Sequence, residues 1–171
     1  MNDLIEFAGT SWRVLEKQGD KTLLLSDAVL CARMYHSTDE GVTWEHCDLR
    51  KYLNGEFYEN TFSEEEKNRI VETKLLNADN PKYGTAGGND TADKVFLLSL
   101  DETERYLVDD LARTAVTVNG EASHWWLRSP GCEDACAAYV EYDGAVSYGF
   151  GHWSGVTSIG GVRPAMWVRL N

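Results

Sequence analysis

Two capping boxes confine the plainest helical signals of this chain to its middle. In "FSEEEKNRIVET" Ser63 stands three residues before Glu66, and in "SLDETERYLVDD" Ser99 stands three before Glu102. Each hydroxyl can accept an amide of the first turn, while the glutamate returns to the amide of the capping residue. Glu64, Glu65 and Glu66 also load the first turn of the former, where the helix dipole favours negative charge. Ile70 and Val71 are its apolar residues, and Phe62 is a candidate staple. In "CDLRKYLNGEFY", Leu49, Leu53 and Phe57 recur every four residues and share one face of a further helix. "SDAVLCARMY", capped by Ser26 or Asp27, predicts another short one.

Both ends of the chain read as strands. "SWRVLEKQG" and "DKTLLLSD" alternate around Gly19-Asp20, a hairpin turn pair. "HWWLRS" is one strand, and Asp143-Gly144 separates two alternating runs in "CAAYVEYDGAVSYGFGHW". "GGVRPAMWVRL" closes the chain, with Pro164 expected at an edge or a bulge. "KVFLLS" at 94–99 predicts a buried strand, preceded by the long polar loop "NADNPKYGTAGGNDTAD". Strands at both ends and helices between them predict an α+β domain whose two termini meet in one small sheet. The 171 residues suit a single domain, 1–171.

The formal charge of -12 and the scattered lysines and arginines argue against a nucleic-acid partner or an anionic membrane. No apolar run is long enough to insert in a bilayer, and "MNDLIEFAGTSW" is not of signal-peptide type. A cytoplasmic place, or attachment to a cell or virion surface through other parts, fits these features. Cys31, Cys47, Cys132 and Cys136 allow three disulfide pairings or free thiols. The 132–136 spacing is not that of a zinc knuckle, so neither a metal nor another cofactor is expected. Acid pairs are numerous, as in any chain this acidic. The nucleophile-elbow, zincin, phosphate-loop and dinucleotide motifs do not occur, so the expectation is a non-enzyme.

Trp125 and Trp126 point to opposite sheet faces, one toward the core and the other under a loop or second layer. Arg128, on the face of Trp126, requires an acidic partner, with Asp93 and Glu102 as candidates. Arg163 poses the same problem beside Pro164, and Trp167 follows in the last strand. These six residues form the expected frame. Between the two arginines, small residues space out Glu133, Asp134, Tyr139, Glu141, Tyr142, Tyr148, Phe150, His152, Trp153 and Ser154. Aromatics with a few acids on short turns make a binding surface, because Tyr and Trp bring large contact area at low entropic cost.

"SWRVLEKQGDKTLLLSD", "WEHCDLRKYLNGEFYENTFSEEEKNRI", "TADKVFLLSLDE", "WWLRSPG" and "GGVRPAMWVRL" together resemble a bacterial domain of unassigned function common in gut and rumen species. The resemblance runs over residues 10 to 170 and implies a C-type-lectin-like fold. Relatives of that fold include the formylglycine-generating enzymes and the variable proteins of diversity-generating retroelements, both with a segment similar to "GVRPA". The variable proteins imply a binder of a protein or other surface ligand, with its variable positions between Gly131 and Gly160. Cys132 and Cys136 do not align with the catalytic pair of the enzymes, and the calcium-site signatures of the sugar lectins are missing. The expectation is a ligand-binding module, and the resemblance to the variable proteins implies diversification by a retroelement. The alternative is a structural or cell-surface-associated domain without a diversified site.

Overall fold

A computed structural model describes residues 3–149 and 155–170. It shows an α+β fold built on two five-stranded sheets. The first begins with a meander of β1 (Leu4–Phe7), β2 (Thr10–Gln18) and β3 (Lys21–Ser26). Gly19 makes the β2–β3 turn with a positive φ of 60°, as the Gly-Asp pair predicts. Leu23, Leu24 and Leu25 are all buried, as a strand covered on both faces requires.

β4 (Cys31–Met34) occupies the stretch for which the sequence predicts a helix. It pairs antiparallel with a strand near the C-terminus, and Ala32, Arg33 and Met34 are exposed. A non-local ladder thus overrides a local helical pattern.

The helical middle follows. α1 (Asp48–Tyr52), a π-helical turn (Leu53–Phe57) and α2 (Tyr58–Thr61) run on without a break. α3 (Glu64–Arg69) and, later, α4 (Leu100–Tyr106) each carry the complete capping box that the sequence predicts. α3 is shorter than its pattern, because Ile70 and Val71 leave it as β5 (Ile70–Val71) to pair with the last strand. β6 (Thr73–Leu75) and β7 (Thr91–Asp93) form a small ladder at the base of the polar loop.

Val95, Phe96, Leu97 and Leu98 are buried as expected, but they do not form a named strand. Only Phe96 bridges Ala165. The Asn54 side chain takes the place of a neighbouring strand: its carbonyl accepts the amides of Lys94 and Val95 at 2.9 and 3.1 Å, and its NH2 donates to Val95 O at 2.8 Å. The backbone groups are satisfied without a ladder.

After α5 (Asp110–Arg113) and the short pair β8 (Ala115–Val116) and β9 (Ala122–Ser123) comes β10 (Trp125–Pro130), all six residues of which are buried. It is the middle strand of the second sheet, flanked by β11 (Ala137–Val140) and β13 (Ile159–Val162). β12 (Val146–Ser147) and β4 are the edges. The β10–β13 pair is parallel, while the others in this sheet are antiparallel. A Cβ on Gly160 would stand 2.3 Å from Trp126 Nε1, and one on Gly161 2.3 Å from His124 O, so the Gly-Gly pair lets β13 approach β10.

The final strand β14 (Ala165–Arg169) belongs to the first sheet, between β3 and β5. The C-terminus thus joins the N-terminal meander. Pro164 stands at neither an edge nor a bulge. It lies in the two-residue passage from one sheet to the other, where its missing N–H costs no ladder bond and its carbonyl accepts Ser26 N at 2.9 Å.

Candidate functional site

The frame residues are deep inside the molecule. Trp125 and Trp126 are both buried and take opposite sides of β10. Trp125 Nε1 donates to Arg113 O, and Trp126 Nε1 to Arg33 O, each at 3.0 Å. Tyr35 and Tyr139 meet the Trp126 ring edge-on at 5.6 and 6.1 Å.

Arg128 is 4% exposed and uses its whole donor fork. Nε donates to Asn77 Oδ1, Nη1 to Leu97 O and Nη2 to Leu76 O. Both Nη atoms also bind the Glu102 carboxylate. Of the two acids the sequence suggests, Glu102 is therefore the partner. The same carboxylate closes the α4 capping box through Ser99 N at 2.9 Å. Asp93 instead accepts from Arg50 Nε at 2.7 Å, Trp44 Nε1 at 2.9 Å and Thr91 Oγ1 at 2.8 Å.

Arg163 is buried without an acidic hydrogen-bond partner among the described residues. Nε donates to Ser26 O at 2.8 Å and Nη2 to Asp27 O at 3.3 Å, while Nη1 has none. Its guanidinium lies 5.0 Å from the Trp125 ring centre, a cation–π contact that offsets part of the desolvation. Burial, and then the charge of Arg13, push this guanidinium below its ordinary range.

The segment between the arginines splits into three places. Glu133 and Asp134 are exposed on the turn joining β10 to β11. Asp134 O accepts Val42 N at 3.2 Å, which ties that turn to the loop before α1. On the outer sheet, Tyr139 is half-buried and its hydroxyl donates to Glu141 Oε1 at 2.9 Å. Burial and the Glu141 carboxylate raise the Tyr139 pKa, against a hydrogen bond with Ser147 that lowers it. Tyr142 is 56% exposed and its ring meets His124 tilted at 5.2 Å, while His124 also meets Tyr139 at 6.0 Å. The Asp-Gly tip is held in place: Arg113 Nε donates to Gly144 O at 2.9 Å and Arg113 Nη2 to Asp110 at 2.6 Å.

Tyr148 takes the third place. Its ring meets Tyr83 at 5.5 Å, and the Lys82 ammonium lies 5.5 Å from its centre. It lines a half-open cleft of about 670 Å³, the size range of small-ligand sites. Leu75, Leu76 and Pro81 form one wall and α4 another, with Trp167 and the Arg128–Glu102 pair among the remaining lining. Asp79, Asp101 and Glu104 bring negative charge to this lining, and Lys74 and Arg105 positive. Leu76, 70% exposed, is a large apolar group of the lining left in solvent. Tyr106 also lines the cleft. Burial and its hydrogen bond to Glu16 push its hydroxyl up to about 12.

Phe150, His152, Trp153 and Ser154 lie outside the described residues. The structure therefore joins Tyr139, Glu141 and Tyr142 on one surface with His124, and turns Tyr148 into the cleft with Trp167. His124, Lys82, Tyr83 and Leu76 are neighbours that the binding-surface reading leaves out. A basic and aromatic pair inside a polar loop was the available signal for Lys82 and Tyr83. The loop they occupy is anchored rather than loose, through Asn80 Nδ2 to Pro130 O and Thr85 Oγ1 to Gly131 O. Among the described residues no group of three or more His, Cys, Asp or Glu could hold a metal ion, and no helix is long and apolar enough to cross a membrane.

No curated protein and no solved structure matches the chain. A family model does, over residues 19–170, from the β2–β3 turn to the end of the last strand. The chain belongs to the family described as "Domain of unknown function (DUF6273)".

Proposed function

We propose that this domain is a non-catalytic binding module of C-type-lectin-like fold. Its ligand-facing surface comes from the segment between Gly131 and Gly160, and its partner is a protein or another surface ligand. The observation that carries this reading is the position of Tyr148. The hairpin segment places an aromatic ring in the wall of a 670 Å³ cleft whose other walls are mixed apolar and charged. Such a composition suits recognition, where apolar area gives affinity and a few polar groups fix orientation. Tyr142, exposed on the neighbouring surface, offers a second anchor. The resemblance to the variable proteins of retroelements supports the same segment, since buried β10 and the largely buried β13 bracket it. Diversification of the gene would make residues in that segment differ among copies while the Trp-Trp and Gly-Gly frames stay fixed.

A specific observation favours the alternative, a structural or cell-surface-associated domain. Tyr139 and Tyr148 are half-buried against the core, and the hairpin tip is bonded to Arg113. The two readings separate in a binding screen of the domain against arrayed glycans and displayed proteins. The binding reading expects a hit that Tyr148→Ala weakens about tenfold, equal to about 1.4 kcal/mol, at unchanged melting temperature. A hit that survives a Tyr142→Ala/Tyr148→Ala double variant at full strength would move the ligand surface elsewhere.

A further inference from the structure

Two of the four cysteines sit together at the loop that joins β10 to β11. Gly131 N donates to Cys136 O at 2.8 Å, which closes the hairpin end. Cys136 N donates to Glu133 O at 2.9 Å, so the intervening turn folds Cys136 back against Cys132. Cys132 N donates to Tyr148 O at 2.7 Å, fixing the first cysteine to the segment after β12. A Cβ on Gly131 would stand 2.8 Å from Cys136 Cβ, so the Cys136 side chain lies against the residue that precedes Cys132. Both backbones are therefore held at the two ends of one tight turn, an arrangement in which a disulfide asks for side-chain rotation and little backbone movement.

The other two cysteines are committed elsewhere. Cys47 is fully buried, and its sulfur accepts Arg50 N at 3.4 Å as the cap of α1. Cys31 interacts with Tyr52. Of the three pairings open to four cysteines, the geometry thus singles out one.

We propose that Cys132 and Cys136 are a reversible redox pair, oxidised to a disulfide by exchange with a small-molecule disulfide. The two ends have unequal roles. Cys132 is half-exposed, whereas Cys136 is 3% exposed. Burial, the Cys132 sulfur and the Glu133 carboxylate push the Cys136 thiol up to about 12. Cys132 is therefore the end that meets the oxidant, and Cys136 is the resolving group. The Cys132 thiolate attacks one sulfur of the small disulfide, forms a mixed disulfide and releases one small thiol. Cys136 then gives its proton to solvent and attacks the Cys132 sulfur, releasing the second small thiol. The protein loses two electrons and two protons in total, and the small disulfide gains them as two thiols.

The consequence lies at Gly149. In the dithiol form the Cys132 S–H donates to Gly149 O. The disulfide has no S–H, so oxidation removes this bond. Gly149 has a positive φ of 81° and directly precedes residues 150–154, four of which, Phe150, His152, Trp153 and Ser154, the sequence assigns to ligand contact. Oxidation thus releases a tether at the start of that segment. The inference concerns the thiols alone and stands whether or not the binding reading does.

The test uses the whole chain in glutathione buffers running from fully reduced to fully oxidised, followed by denaturing alkylation and peptide mass analysis. The wild type is expected to lose two hydrogens in the peptide holding Cys132 and Cys136, with Cys31 and Cys47 still alkylated. Cys136→Ser is expected to trap one glutathione on Cys132, and Cys132→Ser to take up none at Cys136. The wild-type result decides the matter even if the buried Cys136→Ser variant fails to fold. Alkylation of both thiols in every buffer, a glutathione on each of them, or a bond between two chains would overturn the proposal.

Discussion

β10 and the hairpin beside it solve opposite problems. Every residue of β10 is buried, and its one charged side chain is paired on all of its donors. In the neighbouring β11–β12 hairpin, half-buried Tyr139 stands among buried Ala137, Ala138 and Val140, and the turn carries exposed Tyr142 and Asp143. A strand covered on both faces cannot present a ligand surface, but it can fix the position of a neighbour that does. On the proposed reading one sheet divides holding from presenting, because strand periodicity lets residues of the same hairpin face two environments.

This division is easiest to break at Arg128. Arg128→Ala leaves the Glu102 carboxylate and the Leu76 and Leu97 carbonyls without their shared partner. The expected loss is about 3–5 kcal/mol in chemical denaturation, the range for removing one member of a buried pair. Gly144→Val comes next. A Cβ there would stand 1.7 Å from Asp110 O, at a φ of 88°, so the hairpin tip must leave α5. A loss of about 2–3 kcal/mol is expected from the clash and the backbone strain. Cap removal follows, at about 1 kcal/mol for Ser63→Ala by thermal melting. Ser99→Ala should cost more than Ser63→Ala, because Glu102 serves both the cap and Arg128. Equal losses would show that the cap and the arginine lock are uncoupled. Tyr142→Ala should change stability by less than about 0.5 kcal/mol, since its ring is largely in solvent.

What could be read in advance follows how local each signal is. Both capping boxes are complete within four residues, and both helices start where the boxes place them. The Gly-Asp and Asp-Gly turns are equally local. The stretch 26–35 reads as a helix because its composition permits one, yet its partner β13 lies more than a hundred residues away. "KVFLLS" has the composition of a strand, but the Asn54 side chain takes the place of a neighbouring strand, and no pattern in the sequence announces that. Pro164 marks a change of sheet, which a single proline signals only as a break.

The site shows the same limit. The need of Arg128 for an acid is a matter of solvation and was plain from its neighbours. The choice of Glu102 over Asp93 depends on α4 docking at the end of β10 and on Arg50 reaching Asp93 first. The aromatic content of 139–148 pointed to contact area. That Tyr148 faces a cleft depends on β6, α4 and β14, three elements far apart in the chain.

Native-state hydrogen exchange compares β10 with the β11–β12 hairpin most directly, without any ligand. The amides of Trp126 and Arg128 should exchange only through global unfolding. Those of Glu141 and Gly144, bonded to Ala145 O and Glu141 O around the turn, should open at a free energy about 2 kcal/mol or more below that. Equal protection of the two sets would contradict the division between a fixed frame and a presented surface.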